Sequence, residues 1–176
     1  RLFDPQDGVV RRNGVDLREL DLDELRASTG YVAQEVALFD GTIGDNITFG
    51  ARSREDEARL EEVVRHACVD EILERKETSL DDPVGEGGAR LSGGQKKRVA
   101  LARALIRQPS VLVIDQLAAD LEEDLCREIF ENVRRHYDVS ILYLGHRVPA
   151  GFAANAVYWM ERGRIKRQLD TDEYAS

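Results

Sequence analysis

Leu91-Ser92-Gly93-Gly94-Gln95 is the stretch of this sequence best suited to chemistry. A serine and two glycines opening a helix leave backbone N–H groups uncovered, add a hydroxyl donor, and turn the positive end of the helix dipole toward a ligand. That combination is an anion site. Ser-Gly-Gly alone is more simply an N-capped helix after a glycine turn. The complete five residues, with the basic and apolar run Lys96 to Ile106 behind them, shift the balance toward anion binding.

Asp115 closes the run Val111-Leu112-Val113-Ile114. A carboxylate at the C-terminal end of a buried parallel strand stands where open α/β sheets bind ligands, and it can hold Mg²⁺ directly or through water. Capping of the next turn is the competing role. His146 follows Leu142-Tyr143-Leu144-Gly145 and reaches the same sheet edge, where an imidazole can hydrogen-bond a terminal phosphate. His66 and His136 fall within helical stretches and read as structural.

These residues need a scaffold, and the pattern supplies one. Val111–Ile114 is a continuous apolar run that suits a strand buried in a parallel sheet, and Val139–Leu144 predicts a second buried strand after a helix over about 122–136. Tyr31-Val32-Ala33 reads as a short strand ending at Gln34, after a short helix over 21–28 capped by Asp21. Asn13-Gly14 between Gly8-Val9-Val10 and Val15-Asp16-Leu17 predicts a hairpin, and Val157–Lys166 predicts another. Residues 55–77 form the clearest amphipathic helical stretch, with Leu60, Val63, Val64, Ala67, Cys68, Ile72 and Leu73 at helical spacing. A Pro/Gly-rich loop over 81–88 follows, and then a helix over about 95–107. The fold class is α/β.

Composition narrows the function. The 176 residues carry 25 Lys plus Arg against 34 Asp plus Glu, a net charge of −9, which argues against nucleic-acid binding because phosphate backbones need a basic face. No apolar run approaches the roughly 18–20 residues that span a bilayer. Cys68 and Cys126 match no metal spacing and point to a reducing compartment.

In this order and spacing the residues resemble the nucleotide-binding domain of ATP-binding cassette (ABC) transporters. Leu91–Gln95 matches the family's signature motif residue for residue, Val111–Asp115 looks like its Walker B strand, and His146 like its switch histidine. Tyr31-Val32-Ala33-Gln34 resembles the Q-loop, whose glutamine contacts the metal and senses the γ-phosphate. Leu38–Ile47 and Val84-Gly85-Glu86-Gly87-Gly88 resemble the segment after the Q-loop and the X-loop of exporter-type cassettes, which lie near the coupling helices of the membrane domain.

The resemblance implies a RecA-like P-loop NTPase core, N-terminally incomplete, with an inserted α-helical signature subdomain: partial core over 1–36, helical subdomain over 37–108, core again over 109–176. It implies ATP and Mg²⁺ as ligands. The nucleotide would be met by Gln34, Leu91, Ser92, Gly93, Gly94, Gln95 and Asp120, the metal by Asp115 and Gln34, and catalysis would fall to Gln116 and His146. It implies a head-to-tail dimer with a second nucleotide-binding domain, a transmembrane domain as partner, and a place at the cytoplasmic face of a membrane.

Two departures stand out. No G-x-x-x-x-G-K-[ST] loop occurs in the chain, and the nearest miss, Gly88–Gln95, has Gly94 where lysine is required. With Arg1-Leu2-Phe3-Asp4-Pro5 resembling the end of the helix that follows that loop, the chain is expected to be a cassette cut just past it. Gln116 stands where the family has the glutamate that polarises the attacking water, and an amide is a poor proton acceptor. Ala119-Asp120-Leu121-Glu122 resembles a drifted D-loop. The readings in play are an exporter ATPase, a degenerate non-hydrolysing cassette that donates its signature to a partner, and a soluble non-transport ABC ATPase. The last is disfavoured by the lack of sustained heptads.

Overall fold

The computed structural model describes residues 1–49, 51 and 53–169. Its centre is a three-stranded parallel sheet in the order β3 (Thr29–Val32), β4 (Val111–Asp115), β5 (Ser140–Leu144). The register places Val32 beside Ile114, Ile114 beside Tyr143 and Asp115 beside Leu144, so the three strands end at one edge. Leu112 and Ile114 are fully buried, as a β-branched and aliphatic run in a central strand should be.

Two long helices cover this sheet. α6 (Gly93–Leu105) inserts Val99, Leu101, Ala102 and Leu105 into the core. In α7 (Glu123–His136) the buried residues Cys126, Ile129, Phe130 and Val133 recur at helical spacing, and the opposite face is charged. Phe130 meets Phe152 and Tyr143 edge-on, with ring centroids 4.9 and 6.0 Å apart, so α7 is keyed to β5 through aromatic contacts.

Between β3 and α6 lie α2 (Ile43–Thr48), α3 (Arg54–Ala58), α4 (Leu60–His66) and α5 (Asp70–Lys76). Thr42 and Asp45 form a reciprocal capping box that starts α2. The fully buried Asn46 amide donates to Phe39 O and Thr42 O and accepts from Phe39 N and Arg103 Nη2. This satisfied polar knot pins the 38–46 segment to α6.

Three expectations change in detail. The amphipathic stretch 55–77 is not one helix: it breaks at Arg59 and again at Cys68, which adopts φ +54° and turns the chain into α5. The apolar face is continuous across the breaks, which is why the spacing reads as one helix. β5 is not buried on both faces. Ile141 and Tyr143 pack on the core, whereas Leu142 and Leu144 are 54% and 42% exposed. An apolar run reports a preference for burial and not which neighbours cover it. The first hairpin is shorter than expected: Arg11–Arg12 (β1) pairs with Val15–Asp16 (β2) around Asn13 and Gly14, both at positive φ, while Val9 and Val10 stay outside the strands. α1 (Leu22–Ala27) is capped by Asp21 as expected, and β6 (Val157–Glu161) pairs with β7 (Arg164–Leu169).

Cys68 and Cys126 are free and buried, and burial pushes their thiols up to about 12 and about 11, so neither is a reactive nucleophile. Among the described residues no helix is long and apolar enough to cross a membrane.

α4 and α7 meet through two histidines. His66 and His136 stack with ring centroids 4.1 Å apart, and His66 Nδ1 lies 3.0 Å from the Tyr137 hydroxyl. Glu62, Arg65, Asp70, Glu128 and Asn132 line the same cleft. Burial first, and then the charge of His136, holds His66 below the ordinary histidine value. Above pH about 6.5 both folded and unfolded chains keep this ring neutral, so it has no effect on stability there. Below that pH the unfolded chain takes up a proton that the folded chain resists, so stability falls. The urea midpoint should drop between pH 7.5 and 5.5, and His66→Asn should flatten that slope; an unchanged slope in the variant would show that the ring does not set it.

Candidate functional site

The parallel register gathers three of the residues singled out from the sequence. Gln34 lies two residues beyond Val32, Asp115 is the last residue of β4, and His146 lies two residues beyond Leu144, so all three leave the sheet at the same edge. Gln34 and His146 are exposed and Asp115 is half-buried. Just past Asp115 the backbone turns sharply. Gln116 adopts φ +52°, its N–H donates to Leu144 O at 2.8 Å, and the Tyr143 hydroxyl accepts from the Ala118 N–H at 3.4 Å. Neighbouring β5 thus fixes the course of the 116–120 turn.

α6 begins two residues earlier than the spacing suggested, at Gly93. Ser92 is its N-cap: the Ser92 hydroxyl accepts from Gln95 N at 3.3 Å, and Gln95 Oε1 accepts from Ser92 N at 3.0 Å. The Gln95 side chain is thereby committed to capping. Leu91 is buried in the core, and Ser92 and Gly93 are exposed. The first-turn N–H groups have no partner on the preceding helix backbone; that of Gln95 is taken by the Ser92 hydroxyl, Gly94 is buried, and Gly93 faces solvent. The structure thus shows an N-capped helix whose first residues, Ser92 and Gly93, face solvent.

The start of α6 is pressed against the 116–120 turn. A Cβ on Gly94 would come within 2.5 Å of the Asp120 carbonyl oxygen and 3.1 Å of Leu121, whereas one on Gly93 would meet the Asp120 side chain only at 3.6 Å. A buried cation tightens the contact. Lys97 Nζ lies 2.6 Å from Asp120 Oδ2 and donates to Gln116 O at 2.6 Å. Its neighbour Arg98 turns the other way, donating to Cys68 O at 2.7 Å and meeting Glu71 at 3.2 Å. In the sequence Lys96, Lys97 and Arg98 form a basic start to the helix, and nothing in that run singles out Lys97 as buried. The signal lies in the helical spacing: three residues after Gly94, position 97 falls on the inward face of α6.

The arrangement brings Asp115, Gln116 and Asp120 together with Gly93, Gly94 and Lys97. Gln34 and His146 are joined to this group through the shared strand edge rather than by direct contact. Among the described residues no three His, Cys, Asp or Glu side chains converge to hold a metal. Asp115 and Gln34 each carry a side-chain oxygen of the kind that Mg²⁺ accepts, and both stand at this strand edge.

Known proteins resemble this chain over most of its length. The family profile described as "ABC transporter" matches residues 1–119. The chain is 37% identical over 172 residues to ABC transporter B family member 1 of Dictyostelium discoideum, covering 94% of this chain and 18% of that protein. It is 34% identical over 164 residues to antigen peptide transporter 2 of Mus musculus, covering 93% of this chain and 23% of that protein. A solved structure of a bacterial Atm1-family ABC exporter with ATP bound superposes with a TM-score of 0.89 at 29% identity, covering 98% of this chain and 30% of that one. The chain therefore spans less than a third of the length of these relatives.

The close approach at Gly94 gives a direct test. Alanine generally stabilises a helix over glycine by about 1 kcal/mol. Gly93→Ala should be neutral or slightly stabilising in urea unfolding, while Gly94→Ala should destabilise by about 1–3 kcal/mol, since the opposing group is a backbone carbonyl. Equal effects at the two positions would contradict the packing described.

Proposed function

The chain belongs to the ABC transporter family, and from that premise we propose that it serves an exporter as the ATP-binding and ATP-hydrolysing cassette, coupling ATP binding and hydrolysis to transport across a membrane. The observation that carries this reading is the exposed N-terminal turn of α6, with Ser92 and Gly93 open to solvent and the helix held against the Asp120 backbone. An anion-binding turn on a rigid support suits a group that closes over a phosphate from outside.

In this reading Ser92, Gly93 and Gly94 cover the γ-phosphate of an ATP held by a second nucleotide-binding domain in a head-to-tail dimer. Leu91 anchors that turn in the core and Gln95 caps it. Asp115, Gln34, Gln116, Asp120 and His146 belong to this chain's own half-site. Asp115 and Gln34 hold Mg²⁺, which when bound supplies positive charge to the phosphate oxygens. His146 donates a hydrogen bond to the terminal phosphate. Gln116 orients the attacking water. Residues 37–108 act as the helical subdomain and carry the docking surface for a transmembrane domain, which sets the cytoplasmic face of the membrane as the site of action. The exporter's cargo is selected in that membrane domain.

Gln116 favours a second reading. An amide orients water but takes up its proton poorly, so a site built on it binds nucleotide far better than it turns it over. The chain then acts as a non-hydrolysing cassette whose intact signature serves the partner's ATP site.

Two measurements on the full-length protein test these readings. Ser92→Arg should abolish ATP-dependent dimerisation, followed by sedimentation velocity; unaltered dimerisation would sink the signature assignment. Gln116→Glu should raise steady-state ATPase activity about a hundredfold if this position limits turnover. No gain would count against its role beside the water.

A further inference from the structure

We propose that Lys97 is a positioning residue, whose buried ammonium ties the nucleotide-covering turn at Ser92–Gly94 to the end of β4, so that the two half-sites of a dimer respond together. This rests on the reading under Proposed function and extends it to a residue outside the motifs.

The geometry is unusual for a lysine. Its side chain is only 4% exposed, and its Nζ lies 2.6 Å from Asp120 Oδ2 and 2.6 Å from the Gln116 carbonyl. A buried ammonium must keep its partners, because leaving them unpaired exposes the full desolvation penalty of the charge. Three points are therefore fixed to one another: the first turn of α6, the peptide after Gln116, and Asp120. Each has little freedom of its own. The Gln116 N–H is held by Leu144 O, Gln116 sits at positive φ, and Gly94 leaves no room for even a Cβ against the Asp120 carbonyl.

A displacement of Asp115 or Gln116 by ligand in this chain's own half-site is thus passed through Lys97 to the turn that meets the partner's nucleotide. Arg98 does not share the task, because its guanidinium is committed to Cys68 O and Glu71 on the far side of the helix. The tie is asymmetric. Asp120 is 51% exposed and is solvated when Lys97 is removed, whereas Lys97 is left with a single carbonyl when the charge of Asp120 is removed.

The test uses the full-length protein and follows the ATP concentration that half-saturates dimerisation in light scattering, beside the melting midpoint. Lys97→Met keeps the length of the chain and leaves a solvated carboxylate, so its melting midpoint should hold while half-saturating ATP rises about tenfold, the size of one lost charge-assisted hydrogen bond. Asp120→Asn should raise it in the same direction and should also lower the melting midpoint. The double variant should be no worse in ATP response than Lys97→Met, because both changes remove one interaction. A wild-type ATP response in Lys97→Met, or additive effects in the double variant, would overturn the proposal. A wild-type protein that does not dimerise on ATP at all would overturn the reading it rests on, and the proposal with it.

Discussion

The Asp120 carbonyl oxygen comes so near the first turn of α6 that only a glycine fits at position 94. Much of the functional geometry depends on this approach. It fixes where the helix begins, and so where Ser92 and Gly93 stand. It also brings Lys97, one turn on, to the carbonyl of Gln116, which partners its buried ammonium. The Gly-Gly pair thus serves two ends in one motif. Gly93 leaves the helix start open to solvent, and Gly94 lets the helix lie against the turn that follows Asp115.

Rigidity on the other side of this contact comes from the parallel sheet and its covering helices. β4 is held between β3 and β5, and the Gln116 turn is pinned to β5 through Leu144 and Tyr143. α7 locks β5 through the Phe130, Tyr143 and Phe152 rings. At the far end of α6, Arg103 donates to Asn46 O and Ala37 O, so the segment after β3 is bound to the same helix that presents Ser92. One helix therefore spans from the Ser92–Gly94 turn to the loop just beyond Gln34.

Much of this was legible in the sequence, for physical reasons. The Ser-x-x-Gln spacing at 92–95 encodes a capping box, and the apolar stripe of α7 and the uninterrupted run of β4 encode their elements through periodicity. The motif order supported membership of the ABC family, and the comparisons agree. What stayed hidden depends on tertiary neighbours. The break at Cys68 is a left-handed residue that is neither Gly nor Asn, so no local preference marks it. The exposed face of β5 reflects which elements cover it, not its own apolar run. The role of Lys97 lies in its burial, and its charge alone suggested solvent. The roles of Gln34, Asp115, Gln116 and His146 toward nucleotide come from the family resemblance, and the register adds that Gln34, Asp115 and His146 share one sheet edge.

The central claim is that the N-terminal turn of α6 covers a phosphate held by another subunit. Hydrogen exchange at the Gly93 and Gly94 amides of the full-length protein, with and without Mg²⁺ and ATP and over a range of protein concentrations, tests it most directly. The account predicts that ATP slows exchange at both amides, and that this protection grows with protein concentration as the partner is recruited. Protection that is absent, or that is the same at every protein concentration, would contradict it.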